Sequence, residues 1–330
     1  MKTLYDRWQA LGSFIGKHLI LLIPLCLALG IIFPEQLSPI RVIVPTIFAI
    51  MTFQSALTVN LQSLKDAITH PGIIVLALVF SHVASPLLAF WLGGLFFGDD
   101  PDIMTGIVLE YSVPMATTAV MWVSMYKGNV AVVLTTLFFS ILISPITIPA
   151  TLSLLLGSTV HISLLGMALD MVYMVVVPAI AALAANECTH GWAARKLSPA
   201  LAPLSRVILL TIVASNTTTI AYYVRNLTPE LGEVVVFIGL YAIFNFAMGI
   251  ALGLITNQKR DRFICLTFET GMRNISAGAV LAVQYFGPAS VFPVMAGTFF
   301  QQLLGAAFGK VMERVLARMD GAAETSAETR

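Results

Sequence analysis

The sequence predicts an all-α polytopic membrane protein with ten transmembrane helices, arranged as two five-helix inverted repeats. The chain of 330 residues is 58% hydrophobic and 11% charged, and its mean hydropathy is +0.90. This composition supplies too little polar surface to cover a soluble fold of that size. Its apolar stretches of roughly 20 residues match the length that a helix needs to cross about 30 Å of hydrocarbon.

Long apolar runs predict the spans in chain order. The first five are residues 15–33, 41–59, 73–97, 102–126 and 129–156. The second five are residues 161–185, 204–224, 231–256, 260–284 and 287–312. An odd number of spans in each half forces the second half to enter the membrane inverted relative to the first, as in many secondary transporters.

These spans make residues 1–330 a single transmembrane transporter domain. Residues 15–156 form the first repeat, residues 161–312 the second, and residues 313–330 a charged cytoplasmic tail. The first apolar run lacks a cleavage site of small residues, so we interpret it as a retained span rather than a signal peptide.

The distribution of basic residues predicts the orientation. Of the 18 Lys and Arg residues, Arg41 and Arg225 fall on the side opposite to the N-terminus, Arg273 lies within a span, and all the others fall on the N-terminal side. Because cytoplasmic loops carry the excess of Lys and Arg, both termini are expected in the cytoplasm. The bacterial character of the chain then favours an inner-membrane location, although the residues leave its oligomeric state open.

The fourth span of each half carries residues that interrupt helices. The segment LEYSVPMATTAV contains Pro114, and the segment FETGMRNISAG contains Gly271. Matching interruptions in the two halves indicate a binding site near the middle of the membrane. Proline and glycine are also common in ordinary membrane helices, but here buried charges coincide with both interruptions.

Glu110, Glu269 and Arg273 form the predicted ion-coupling or charge cluster at these breaks. An ionisable side chain at mid-membrane costs about 2.5–3.5 kcal/mol on insertion scales, so each needs a partner or water. Glu269 and Arg273 are four residues apart and would share a face of a regular helix, where they could pair. A purely structural cluster remains the alternative. The role of Asp170, which lies alone in another span, is not readable from the sequence.

The chain contains no nucleophile elbow, zinc-protease, P-loop or dinucleotide-binding motif, so an enzyme and a nucleotide-driven pump are not expected. No cofactor and no metal site are expected either. A net charge of +1 argues against a nucleic-acid partner. The expected partners are lipid and a small solute that moves along a gradient.

The segment FETGMRNISAG resembles the ninth-helix motif of the bile acid:sodium symporter family, through Glu269, Gly271, Met272 and Asn274. The fourth span resembles the same family through Pro114 and Thr117, and through the Gly-Asn-Val-Ala turn of residues 128–131. The resemblance extends over nearly the whole chain in the number and order of spans. It implies a panel domain and a core domain, with spans 4 and 9 crossing at their unwound centres.

By position, the resemblance implies that a small organic anion binds at this crossing. The implied substrate-binding residues are Thr117 with its neighbour Thr118, Asn274, Gln301 and Gln302. All of these side chains can donate hydrogen bonds to a carboxylate. The N-termini of half-helices at the crossing would also favour an anion.

The chain departs from the family where the family binds sodium. Positions that carry oxygen ligands in the family align with residues lacking side-chain oxygens, namely Ala119, Val120, Val133 and Leu137. Arg273 replaces the glutamine of the ninth-helix motif, and a third-helix glutamine aligns with Ser81. The hypothesis is that Arg273 supplies a fixed positive charge in place of a coupling ion, so that transport is independent of sodium. Proton coupling through Glu110 or Glu269, uniport and exchange all stay open.

Two alternative functions stay open. One is a carboxylate carrier of the auxin-efflux type, which shares a related ten-span plan. The other is a membrane sensor that binds an anion without transporting it. No motif identifies the substrate, although small carboxylates suit a bacterial chain better than bile acids do. The direction of transport is open as well.

Overall fold

The structure is a computed structural model that describes residues 4–68, 71–157, 163–226 and 228–328. Within these ranges the chain is helical, with one isolated antiparallel bridge. The predicted start of the second repeat, residue 161, lies outside the described residues, as do the last two residues of the predicted tail. The remaining predicted tail continues the last helix without interruption.

The described residues of the first half form ten α-helices. They are α1 (Leu4–Lys17), α2 (Leu19–Ile32), α3 (Pro34–Leu37), α4 (Val44–Ala56), α5 (Leu61–Ile68), α6 (Pro71–Val79), α7 (Ser85–Phe97), α8 (Pro101–Ser112), α9 (Thr118–Met125) and α10 (Val130–Leu156). A 3-10 segment, Ser38–Ile43, precedes α4, and a π-helical turn, Phe80–Ala84, joins α6 to α7.

The second half contains eight helices within the described ranges. They are α11 (Leu164–Met171), α12 (Val177–Cys188), α13 (Ser198–Thr217), α14 (Ala221–Arg225), α15 (Pro229–Ile255), α16 (Arg260–Gly271), α17 (Ile275–Tyr285) and α18 (Pro288–Glu328). Two π-helical turns, Val172–Val176 and Ala193–Leu197, extend α12 and α13 at their N-terminal ends, and a 3-10 turn, Thr218–Ile220, connects α13 to α14.

The described residues contain seven helical stretches long and apolar enough to cross a membrane. These are Pro34–Ala56, Pro71–Phe97, Val130–Leu156, Leu164–Cys188, Ala193–Arg225, Pro229–Ile255 and Pro288–Arg318. An eighth is reached if Tyr5–Lys17 and Leu21–Ile32, which meet at 86°, form one span. The chain is therefore a multi-pass membrane protein.

The number of these stretches is lower than the ten predicted spans because the predicted fourth and ninth spans are each divided into two short helices. The halves α8 and α9 have 12 and 8 residues, and the halves α16 and α17 have 12 and 11 residues. A helix needs about 17 residues or more to cross the hydrocarbon alone, so none of these halves does. The first span also differs from its predicted continuous course, because the chain bends sharply between α1 and α2.

The helices pack in two sets. In the first set, α13 packs against α1, α2 and α4, and α12 packs against α4. In the second set, α16 packs against α15, while α8 packs against α7 and α18. The broken helices belong to the second set, so the two breaks are held by the same group of neighbours.

The contact between α15 and α16 depends on a glycine. A Cβ atom built at Gly249 would lie 2.7 Å from the Leu266 carbonyl oxygen and 2.7 Å from the Thr267 Cα atom. Both are backbone atoms of α16 and cannot rotate away, so any side chain at position 249 separates the two helices.

We expect Gly249→Ala to destabilise the protein by about 1–3 kcal/mol, the usual cost of overpacking. The melting temperature of the detergent-purified protein should fall accordingly. Gly232→Ala on the same helix is the matched control, because nothing lies within 4 Å of a Cβ built there. That control should leave stability unchanged or slightly raised, since alanine has the higher helix propensity. Equal melting temperatures for the two variants would contradict the packing argument.

Candidate functional site

The first break follows from Pro114. Proline disfavours helical backbone at the preceding residue, and Val113 accordingly has φ −64° and ψ 154°. Helix α8 ends at Ser112, and α9 begins at Thr118, so Pro114 lies in the gap. The Ser140 hydroxyl accepts a hydrogen bond from the Met115 backbone N–H at 3.1 Å, which satisfies a donor left free by the break.

The second break follows Gly271, the last residue of α16. The Phe246 ring lies directly against its Cα atom, in space that a Cβ would occupy, so only glycine fits there. The chain is extended at Met272, with φ −110° and ψ 120°. Helix α17 then begins after Asn274, whose Oδ1 accepts a hydrogen bond from the Ala277 N–H at 3.2 Å.

The two breaks pair with each other. Met115 and Arg273 form an antiparallel bridge. The Ala116 N–H donates to the Met272 carbonyl at 3.1 Å, and the Asn274 N–H donates to the Pro114 carbonyl at 2.8 Å. Backbone groups that leave a helix inside a membrane must find partners within the protein. Each break therefore supplies the hydrogen bonds that the other has lost.

A cavity of about 130 Å³ lies beside the paired breaks. It is bounded on one side by the breaks and by α18, and on the other side by α2, α4 and α13. The structure places all five sequence-predicted substrate-binding residues, and Arg273, in its lining: Thr117, Thr118, Asn274, Gln301, Gln302 and Arg273. Apolar side chains such as Phe48, Ile212 and Met295 complete the wall.

Three amide side chains of this lining have their oxygens already occupied by protein donors. Gln301 Oε1 accepts from the Arg273 backbone N–H at 3.0 Å, and Gln302 Oε1 accepts from Trp122 Nε1 at 3.3 Å. The Asn274 Oδ1 atom accepts from the Ala277 N–H as the N-cap of α17. Because a backbone or indole N–H requires an acceptor, these contacts fix which end of each amide is oxygen. The amide nitrogens are then available to a solute as hydrogen-bond donors.

Two helix N-termini add to this donor character. Helices α9 and α17 both begin at the cavity, next to Thr117 and Asn274. Free N–H groups and the helix dipole make such termini favourable for an anion. The Thr118 hydroxyl, in the first turn of α9, is buried without a hydrogen-bond partner among the described residues. The lining as a whole is therefore suited to a negatively charged group.

Arg273 is a charged residue of the cavity lining, and only 2% of its surface is exposed. Its guanidinium donates to the Ser81 carbonyl at 3.2 Å and to Asn245 Oδ1 at 3.4 Å. The Ser81 carbonyl is available because it lies in a π-helical turn, where its partner five residues on is Pro86, which has no N–H. The Ser85 hydroxyl holds the Asn245 oxygen in place at 2.7 Å.

Glu269 does not pair with Arg273, contrary to the expectation from their four-residue spacing. That rule requires one continuous helix, and α16 ends between them at Gly271. The Thr136 hydroxyl lies beside the Glu269 carboxyl but donates to the Val132 carbonyl at 2.9 Å. Both Glu269 oxygens are consequently buried without a hydrogen-bond partner among the described residues.

Glu110 is buried on α8 and interacts electrostatically with Arg273. A Cβ at Gly297 of α18 would overlap its carboxyl oxygen, so α18 approaches the acid closely. Neither Glu110 nor Glu269 lines the cavity. The predicted charge cluster is thus divided, because Arg273 belongs to the cavity lining and the two acids do not.

Asp170, whose role the sequence left open, connects α11 to the end of α17. Its carboxylate on α11 accepts hydrogen bonds from the Gln284 amide and the Tyr285 hydroxyl at the end of α17. Sequence reasoning missed a further residue, Asn216 on α13, which lines the cavity opposite the breaks. It lies in the run SNTTTIAYY, where the polar residues suggest helix packing rather than a ligand site.

Known proteins with similar sequences agree on one family. The model of the sodium bile acid symporter family matches residues 45–227, more than half of the chain. The uncharacterized protein YbaS of Bacillus subtilis is 36% identical over 294 residues, covering 89% of this chain and 96% of YbaS. The uncharacterized sodium-dependent transporter YocS of the same organism is 21% identical over 97% of this chain and 98% of its own length.

A plant protein shows the same likeness at lower coverage. The probable sodium/metabolite cotransporter BASS2 of rice, a chloroplastic protein, is 21% identical over 87% of this chain and 64% of its own length. The chain belongs to the sodium bile acid symporter family.

Proposed function

We propose that this protein is a secondary transporter of a small organic anion that works without sodium, and that Arg273 takes the place of a coupling ion. The observation that carries the proposal is the wall of hydrogen-bond donors at the paired breaks, where three amides have their oxygens bonded to protein donors and Arg273 is part of the lining. Two relatives are named as transporters, which supports a transport function. Membership of the sodium bile acid symporter family favours this function over that of an auxin-efflux carrier.

The cavity volume favours a small substrate. A cavity of about 150 Å³ accommodates benzene, and the volume here is about 130 Å³. A short-chain carboxylate fits such a space. The apolar part of the wall suits the carbon chain of such an acid, and the donors suit its carboxylate.

The packing of the helices supports alternating access between two domains. We assign the set around α13 to a panel domain and the set with both breaks to a core domain, with the cavity between them. Counting each broken helix pair and the bent N-terminal pair as one span gives ten spans in two inverted repeats, with both termini in the cytoplasm of the inner membrane.

The proposed independence from sodium rests on which oxygen ligands the chain offers to a sodium ion. Sodium is a hard cation that requires several oxygen ligands. Ala119, Val120, Val133 and Leu137 offer none from their side chains. The Arg273 guanidinium donates a hydrogen bond to the Ser81 carbonyl, whose oxygen could otherwise bind a cation.

We expect short-chain carboxylates to raise the melting temperature of the purified protein by several degrees, equally in sodium and in potassium buffer. A ligand that binds only the native state at 100 times its Kd stabilises it by about 2.7 kcal/mol. Uptake of the same radiolabelled acid into proteoliposomes, driven by its own gradient, separates a carrier from a sensor. Stabilisation without uptake would indicate a sensor, and stabilisation restricted to sodium buffer would refute independence from sodium.

A further inference from the structure

Asn216 is a buried amide whose hydrogen-bonding capacity is unused. It lies at the C-terminal end of α13 with 1% of its surface exposed, and neither Nδ2 nor Oδ1 has a hydrogen-bond partner among the described residues. Its neighbours behave differently. The Ser215 hydroxyl donates to the Ile212 carbonyl at 3.2 Å, and the Thr217 hydroxyl donates to the Val213 carbonyl at 2.6 Å. Asn216 is therefore not part of the helix-packing bonds of this run.

The side chain lines two pockets at once. It contributes to the cavity at the paired breaks, on the wall opposite the donors of α9, α17 and α18. It also contributes to a second pocket, lined by Ser38, Arg41 and Gln284 among others. A solute that moved between the two pockets would pass this amide. An unpaired buried amide lowers stability, so a role in binding explains its presence where packing does not.

We propose that Asn216 is a substrate-binding residue that recognises a hydroxyl group, so that the substrate is a hydroxycarboxylate. The inference rests on the proposed function and specifies its substrate class. The donor wall takes the carboxylate, which only accepts hydrogen bonds. Asn216 offers an acceptor, Oδ1, which a carboxylate cannot use but a hydroxyl can.

The charge of the site excludes the main alternative donor. An ammonium group could also donate to Asn216 Oδ1, but it would bring a second positive charge into a cavity of about 130 Å³ whose lining includes Arg273. Like charges repel more strongly in a poorly solvated space than in water. A neutral hydroxyl carries no such penalty, and it can equally accept a hydrogen bond from Nδ2.

The test compares acids that differ by one hydroxyl: lactate with propionate, and 3-hydroxybutyrate and 4-hydroxybutyrate with butyrate. Thermal stability of the purified protein is measured against the concentration of each acid. The native protein should bind at least one hydroxy acid about tenfold more tightly than its partner, the equivalent of one charge-assisted or well-formed hydrogen bond. Asn216→Leu should abolish this preference while binding the partner acid normally.

Stability without ligand separates a binding role from a structural one. Asn216→Leu removes an unpaired polar group, so its melting temperature without ligand should equal or exceed that of the native protein. Thr217→Val is the matched control, because that hydroxyl is bonded within its own helix, and it should keep the hydroxyl preference. If Asn216→Leu does not fold, Asn216→Ala provides the same comparison, since it adds no atoms.

The outcomes distinguish this inference from the proposed function. A lower melting temperature with the hydroxyl preference retained would make Asn216 structural and overturn the inference. Equal binding of hydroxy acids and their partners by the native protein would overturn the inference while leaving the proposed function intact. Absence of stabilisation by any of these acids would refute the proposed function, and the inference with it.

Discussion

Gln301→Glu and Gln302→Glu are expected to abolish anion binding while leaving the fold intact. Each substitution keeps an oxygen where the protein needs one, as acceptor for the Arg273 backbone N–H or for Trp122 Nε1. Each replaces the amide nitrogen, a donor, by a carboxylate oxygen that repels an anion. Like charges brought together at a binding site cost several kcal/mol, so affinity should fall at least about 100-fold.

Asn274→Asp extends the same comparison to the second helix break. Aspartate is as good an N-cap as asparagine, so α17 keeps its cap at Ala277 while the cavity loses a donor. Gln36→Glu is the matched control, because it makes the same change of charge on an exposed residue of α3. Binding is measured by carboxylate-dependent thermal stabilisation. Native-like affinity in the three cavity variants would show that these amides do not face the anion.

Local sequence chemistry predicts the breaks, because their causes are local. Proline at position 114 restricts Val113 wherever it occurs, and the motif around Gly271 shows flexible backbone within an apolar run. The sequence does not predict how the broken ends are satisfied. The bonds from Asn274 to Pro114 and from Ala116 to Met272 join segments more than 150 residues apart. Such pairing becomes visible only when the helices are packed.

The expected pairing of Glu269 with Arg273 was wrong for the same kind of reason. A four-residue spacing predicts contact on an unbroken helix, and the sequence itself contained the evidence for a break at Gly271. The two observations had to be combined. Past the break, Arg273 is oriented by its backbone bridge to Met115, and its guanidinium reaches the π-helical turn and α15 instead.

Asn216 shows what a sequence pattern cannot distinguish. In a run of Ser, Asn and Thr residues, every member is able to bond to its own helix, and the hydroxyls of Ser215 and Thr217 do so. An asparagine that finds no partner differs from one that does only in its surroundings. An amide within a hydroxyl-rich span is therefore a useful signal, but tertiary packing has to identify it.

Arg273→Gln should reduce uptake of the anion in sodium-free medium at least about tenfold. The substitution removes the positive charge of a residue of the cavity lining and the hydrogen bond to the Ser81 carbonyl. Removing one member of a buried hydrogen-bonded charge arrangement typically costs 2–5 kcal/mol or more. Uptake by Arg273→Lys should lie between that of the native protein and that of Arg273→Gln. An ammonium keeps the charge but lacks the planar guanidinium that reaches both Ser81 and Asn245.

Loss of uptake in Arg273→Gln has two possible origins, loss of the binding charge or instability caused by an unbalanced Glu110. The double variant Arg273→Gln with Glu110→Gln separates them, since Glu110 interacts with Arg273 but does not line the cavity. If the charge binds the anion, the double variant regains thermal stability and still transports poorly. If transport returns together with stability, Arg273 serves the fold alone. Native uptake by Arg273→Gln that is equal in sodium and potassium would refute the idea that Arg273 replaces a coupling ion.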